Sequence, residues 1–167
     1  DQEEALVMSD RIAVMFEGEI AQLADPETLY RRPNSKKVAD FIGTMNFVPA
    51  TVLSESGDKV EVDAKGLGHV TIDASMAPPS KGESPVVGLR PETLTLLYDD
   101  QKAAERETEG VIDEVIYFGD MTYYDVYLGG TDVEVRLSMR NVPGRPVLDV
   151  GTKVRVAWSP SALVLFR

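Results

Sequence analysis

The sequence predicts a mainly β protein, a small β-barrel preceded by a short α/β segment. Three observations predict it. Apolar residues recur with a period of two from Asn46 onward, clusters of turn formers separate those runs, and the residues before them carry helix caps and helical spacing instead.

Asp1 stands where it can cap a helix, with Glu3 and Glu4 in the first turn, where carboxylates favour unpaired N–H groups; that helix should end near Ser9. Arg11 to Phe16 is an apolar run suited to a buried strand, Glu17-Gly18 supplies a tight turn, and Glu19 to Leu23 returns as the second strand of a hairpin. Asp25-Pro26-Glu27 sets a capping side chain, a φ-fixed proline and an acidic residue in the order that opens a helix, and Pro33 closes it after Leu29 and Tyr30. Ser35 caps the next helix. Its Val38, Phe41 and Ile42 share one side, Lys36 and Lys37 stay on the wet side, and Gly43 can end it in a left-handed conformation.

From Asn46 the grammar changes. Val60/Val62, Val70/Ile72, Tyr124/Val126/Leu128, Val133/Val135/Leu137 and Val154/Val156/Trp158 each alternate with polar or small residues, as strands with one face in a core must. The separators are Ser56-Gly57-Asp58, Gly66-Leu67-Gly68, Gly129-Gly130 and Pro143-Gly144-Arg145-Pro146. At least eight short strands follow. The architecture that suits them is a partly open Greek-key barrel of the oligonucleotide/oligosaccharide-binding type. Asp99 to Glu109 reads as a solvated loop or helical turn. The switch of period near Gly43 divides the chain into residues 1–43 and 44–167.

Composition narrows the function. With 43% hydrophobic and 27% charged residues the balance is that of a globular protein. Apolar runs such as Ile12 to Phe16 fall far short of the roughly 20 residues that cross a bilayer. No cysteine means no disulfide framework and no thiolate metal site, a pattern compatible with the cytoplasm. A net charge of -11, from 28 acidic and 17 basic residues, argues against nucleic acid as a ligand. His69 is the single histidine, so neither a zinc constellation nor a Ser-His-Asp triad has enough parts. Asp99-Asp100 and Glu105, Glu107 and Glu109 read as a solvated charge run rather than a calcium loop or paired catalytic carboxylates. Tyr117, Phe118, Tyr123, Tyr124 and Tyr127 could stack on a base or a sugar, but without a basic groove beside them they read as filling for the barrel and its rim. Arg31-Arg32 with Lys36-Lys37 forms a small basic patch near the junction, most simply a wet helix face. No catalytic, cofactor-binding or metal-binding residue is expected in this chain.

Several stretches carry a family resemblance. Asp1-Gln2-Glu3-Glu4-Ala5-Leu6, Ser9-Asp10-Arg11-Ile12-Ala13-Val14-Met15 and Gly18-Glu19-Ile20-Ala21-Gln22 resemble the segment after the switch histidine of ABC-transporter ATPases. Asp25-Pro26-Glu27-Thr28-Leu29-Tyr30-Arg31-Arg32-Pro33, Val38-Ala39-Asp40-Phe41-Ile42-Gly43 and Asn46-Phe47 are similar to the end of the nucleotide-binding domain in importers of maltose, glycerol phosphate, polyamines, iron and sulfate. Gly88-Leu89-Arg90-Pro91-Glu92, Tyr117-Phe118-Gly119-Asp120 with Thr122-Tyr123-Tyr124, and Trp158-Ser159-Pro160 resemble the transport-associated barrel of those subunits. The aromatic segment from Tyr117 to Tyr124 looks closest to the polyamine importers.

The resemblance implies that residues 1–43 end a nucleotide-binding domain and residues 44–167 form a regulatory barrel. The partners it implies are a second copy of the ATPase subunit and the membrane permease, at the inner face of the cell membrane. Arg90, Pro91, Glu92, Gly119 and Asp120 are the candidate regulatory or dimer contacts, set against the plainer account that Arg90 and Glu92 pin a strand end. The phosphate loop ending in Gly-Lys-Ser/Thr that such an ATPase needs is not in this sequence, so ATP and Mg²⁺ belong to the full-length parent. The chain opens without an initiator Met, inside an amphipathic pattern, and reads as a fragment. Ile12, Val14, Phe16 and Ile20 are then candidates for exposure, and self-association is expected. The rival readings are a free-standing binding module for oligosaccharide or nucleic acid and, more weakly, a small hydrolase built on paired carboxylates.

Overall fold

A computed structural model describes residues 1–74 and 84–167. The N-terminal elements form where their caps put them. Helix α1 (Gln2–Met8) begins with the Asp1 carboxylate accepting from the Glu4 N–H at 3.1 Å. Strands β1 (Ile12–Phe16) and β2 (Glu19–Ala24) pair as an antiparallel hairpin. The Asp25 carboxylate caps α2 (Pro26–Arg31), accepting from the Thr28 N–H at 2.9 Å and the Thr28 hydroxyl at 2.7 Å. The Ser35 hydroxyl caps α3 (Lys36–Phe41) at 3.2 Å from the Val38 N–H. Gln22 and Asn34 tie β2 to the exit of α2: Gln22 donates to the Arg32 carbonyl at 3.0 Å, and Asn34 donates to the Ala21 carbonyl at 2.8 Å.

These elements close a core of their own. Val14, Leu29, Val38 and Ile42 are buried together, with Ile12 and Phe16 packed half-buried against them. The expected exposure of four hairpin side chains is therefore corrected for three of them, because the inward face of β1 already lies on α2 and α3; only Ile20 stands out, 59% exposed.

Beyond Met45 the described residues are mainly β. Strands β3 (Asn46–Ser56), β4 (Lys59–Ala64), β5 (Gly68–Asp73), β6 (Val86–Leu89) and β12 (Val164–Phe166) form one antiparallel sheet in the order β12-β6-β3-β4-β5. Strands β7 (Thr95–Leu97), β8 (Arg106–Tyr117), β9 (Met121–Leu128), β10 (Glu134–Arg140) and β11 (Lys153–Trp158) form the other, in the order β10-β9-β8-β11-β7. The two sheets curl over one core, and every alternating apolar residue expected to point inward does so, from Val60 and Val62 through Val154, Val156 and Trp158. The long β8 binds β11 with its first half and β9 with its second, and a bulge between Ile112 and Glu114 bends it. Glu107 and Glu109 belong to this strand, which corrects their placement in a loop; Glu107 meets Arg155 across the β8–β11 pair at 3.3 Å.

The side chain of Asn46 closes the seam between the sheets. Its amide donates to the Arg136 carbonyl at 2.8 Å and accepts from the Arg136 N–H at 2.8 Å, so it pairs with the outer edge of β10 as a neighbouring strand would. Asn46→Ala would leave both main-chain groups of Arg136 without this partner. It should lower stability by about 1–3 kcal/mol in urea unfolding followed by Trp158 fluorescence; a loss under about 0.5 kcal/mol would contradict this account of the seam.

A buried arginine joins the two cores as the candidate functional site

Strand β6 ends at Leu89, and the Pro91 ring then turns the chain into a short 3-10 helix (Pro91–Thr93). The Thr93 hydroxyl donates to the Arg90 carbonyl at 2.6 Å and fixes that turn. Gly88 lies under the approach, because a Cβ there would come within 2.4 Å of Met45 Sδ and 2.7 Å of Phe166 Cε2. Arg90 is thus held rigidly and sent inward, where it is only 4% exposed.

A buried guanidinium needs acceptors, and Arg90 finds main-chain carbonyls. Its Nη1 donates to the Ala39 carbonyl at 3.1 Å and to the Thr44 carbonyl at 3.0 Å, while Nη2 and Nε donate to the Tyr30 carbonyl at 3.0 and 3.3 Å. Tyr30 and Ala39 lie in the last turns of α2 and α3, whose carbonyls have no partner within the helix. One cation therefore caps two helix C-termini, where the helix dipoles favour positive charge. The guanidinium also sits 4.2 Å from the centre of the Tyr30 ring, and the Tyr30 hydroxyl donates to the Glu92 carboxylate at 2.5 Å. Burial pulls the pKa of Arg90 down, an effect opposed by Tyr30 and Glu92 beside it. An open cleft of about 710 Å³ adjoins this cluster, lined by Glu27, Tyr30, Arg32, Glu92, Thr93 and Ser161 among others.

Of the five candidate contacts, Arg90 and Pro91 are buried in this joint, and Glu92, Gly119 and Asp120 are exposed. Gly119 and Asp120 form the tip of the β8–β9 hairpin, strapped by Asn141: its amide donates to the Gly119 carbonyl at 2.7 Å, and its N–H donates to the Asp120 carbonyl at 2.8 Å. Among the described residues no hydrogen bond or ion pair links that tip to Arg90 or Glu92. The aromatic segment, read as filling for the barrel and its rim, divides between the two. Tyr124 is buried in the barrel, whereas Tyr117 and Phe118 are 64% and 63% exposed because they fall at the hairpin tip, past the sheet that could cover them. Phe118 meets the Tyr123 ring edge-on at 5.4 Å. The basic patch is engaged locally: Arg31 pairs with Glu27 at 3.0 Å, and Lys37 lies 4.3 Å from the Phe16 ring. His69 is an exposed residue of β5, 3.7 Å from Asp63. Sequence reasoning missed Tyr30 and Asn46 as working parts; Asn46 had one readable signal, a polar residue at an inward strand position two before Val48.

Comparison with known proteins gives this geometry its context. Residues 87–166 match the family model of the TOBE domain. The chain is 42% identical over 161 residues to the spermidine/putrescine import ATP-binding protein PotA of Pseudomonas aeruginosa, covering 95% of the chain and 44% of that protein. It is 38% identical to the protein of the same name from Rubrobacter xylanophilus, covering 95% of the chain and 41% of the relative. Among solved structures, the cytoplasmic molybdate-binding protein ModG superposes with a TM-score of 0.52 at 14% identity, over 73% of this chain and 94% of that one. At that identity the likeness concerns the fold alone. The fold is thus a β-barrel that carries the TOBE-domain match over residues 87–166, with an α/β segment joined to it. More particularly, the chain is similar over 95% of its length to ATP-binding proteins of spermidine/putrescine import, and it spans less than half the length of those relatives.

The joint has a readable pH dependence. The Tyr30 phenol is pushed up from 10.0 to about 12, first by burial and then by its hydrogen bond to Glu92. The folded chain holds this proton more tightly than the unfolded one. Its contribution to stability is therefore complete below pH 10 and is lost as pH rises from 10 toward 12. Tyr98 follows the same course, raised to about 12 by burial and by Tyr124. Tyr30→Phe should flatten the alkaline decline of the urea midpoint without abolishing it; an unchanged slope would show that Tyr30 does not contribute.

Proposed function

We propose that the chain is the C-terminal regulatory portion of the ATP-binding subunit of an ABC importer of the spermidine/putrescine type. In this reading residues 1–43 end the nucleotide-binding domain, and residues 44–167 serve dimerisation and regulation of ATP-driven uptake. The observation that carries it is 42% identity across 95% of the chain. ATP and Mg²⁺ are handled by the remainder of the subunit, since no phosphate-gripping loop ending in Gly-Lys-Ser/Thr occurs here. The partners are a second copy of the subunit and the permease, which would hold the assembly at the inner face of the membrane. Among the described residues no helix is long and apolar enough to cross a membrane.

A chimera tests the proposal. The matching segment of the Pseudomonas aeruginosa relative is replaced by residues 1–167 and supplied to cells lacking that relative. Spermidine or putrescine uptake should return. A chimera that accumulates normally yet restores no uptake of either would overturn the assignment. The purified chain alone should give no Mg²⁺-dependent ATP turnover above background in a phosphate-release assay.

A further inference from the structure

We propose that Arg90 is a coupling latch, the contact that makes the two cores unfold and move as one body. The cores themselves share no buried side chain: Val14, Leu29, Val38 and Ile42 form one, and the barrel residues form the other. The apolar seam between them is a separate, smaller cluster of Ala39, Met45, Val164 and Phe166, with Phe47 and Val86 half-buried against it. Helices α2 and α3 are six residues each, too short to persist on their own, and need their ends satisfied from elsewhere. Arg90 supplies that from the barrel side, with bonds of 3.0 to 3.3 Å to carbonyls of α2, of α3 and of the connection after α3.

The connection is built around the guanidinium. Gly43 takes a φ of +76°, and a Cβ on it would lie 3.2 Å from Tyr30 Cε2 and 3.4 Å from Arg90 Nη1. The other arginine across the joint makes longer contacts: Arg32 reaches the Leu163 and Ser161 carbonyls at 3.5 and 3.3 Å and lies 3.8 Å from the Asp73 carboxylate. A displacement of the β1–β2 hairpin, packed on α2 and α3 through Val14, would thus reach the barrel at the end of β6. This inference goes beyond the transporter reading and holds whatever the importer carries.

The test follows each core separately during urea unfolding of the whole chain. Trp158 is the single tryptophan and lies in the barrel core, so its fluorescence reports the barrel. Methyl NMR signals of Leu29 and Val38 report the other core. In the unaltered chain the two transitions should coincide. In Arg90→Ala and in Arg90→Lys, which keeps the charge but loses the planar fork, the Leu29 and Val38 signals should collapse first, with midpoints parted by about 1 M urea. In Tyr30→Phe the transitions should still coincide, because Arg90 keeps its carbonyls. Parted transitions in the unaltered chain or in Tyr30→Phe would overturn the latch. So would coincident transitions in both Arg90 variants, or loss of both cores without urea in both.

Discussion

A guanidinium taken out of water must be surrounded by acceptors, and in this chain that requirement organises the joint between two folding units. Among the described residues Arg90 has no carboxylate in direct hydrogen-bond contact. Main-chain carbonyls of Tyr30, Ala39 and Thr44 converge on it, and the Tyr30 ring lies against its face. The demand runs both ways. Two short helices end with carbonyls that would otherwise need water, and one side chain answers both. Removing the cation therefore strips two helix ends of their cap at once.

The barrel meets a related constraint at its own edge. A sheet that stops at β10 exposes a row of unpaired N–H and C=O groups. Asn46 occupies part of that row with a side chain whose amide copies the donor and acceptor of a strand. The same residue begins β3 of the opposite sheet, so the edge that could recruit a neighbour is spent on closure. Arg136 is the point of attachment, and it is fixed from the other side by a two-point pair with Asp125 at 2.8 and 3.0 Å. Sheet closure and the start of the barrel thus meet within two strands, one residue beyond the seam formed by Met45.

The elements were legible because their causes are local. Asp25, Pro26 and Ser35 announce helices through caps that require no knowledge of the tertiary structure, and they start where those residues place them. The alternation from Val60 to Trp158 is equally local, since a strand with one face in a core has no other pattern to follow. The start of β8 was not legible: Arg106 to Glu109 is polar and charged, and it pairs only because Lys153 to Trp158 returns beside it. The joint was half legible. Arg90-Pro91-Glu92 stood out as a rigid motif, but its acceptors are main-chain atoms 46 to 60 residues away, and carbonyls carry no signature in a sequence. Tyr30 was invisible as a participant for the same reason; its partner Glu92 is 62 residues distant.

The arrangement also constrains what kind of function the chain can perform. Among the described residues the buried polar side chains of Arg90, Asn46, Thr122 and Asp125 are all hydrogen-bonded within the protein. Among the described residues no group of His, Cys, Asp or Glu side chains is gathered as a metal site. Among the side chains that stay outward and apolar are two groups: Met15, Ile20 and Leu23 on the hairpin, and Tyr117 and Phe118 at the β8–β9 tip. The first adjoins the N-terminal core and the second caps the barrel. The bonds of Arg90 thus join two units, each of which carries outward apolar groups. The cleft beside Arg90 has its strongest donor turned into the protein, toward the Ala39, Thr44 and Tyr30 carbonyls.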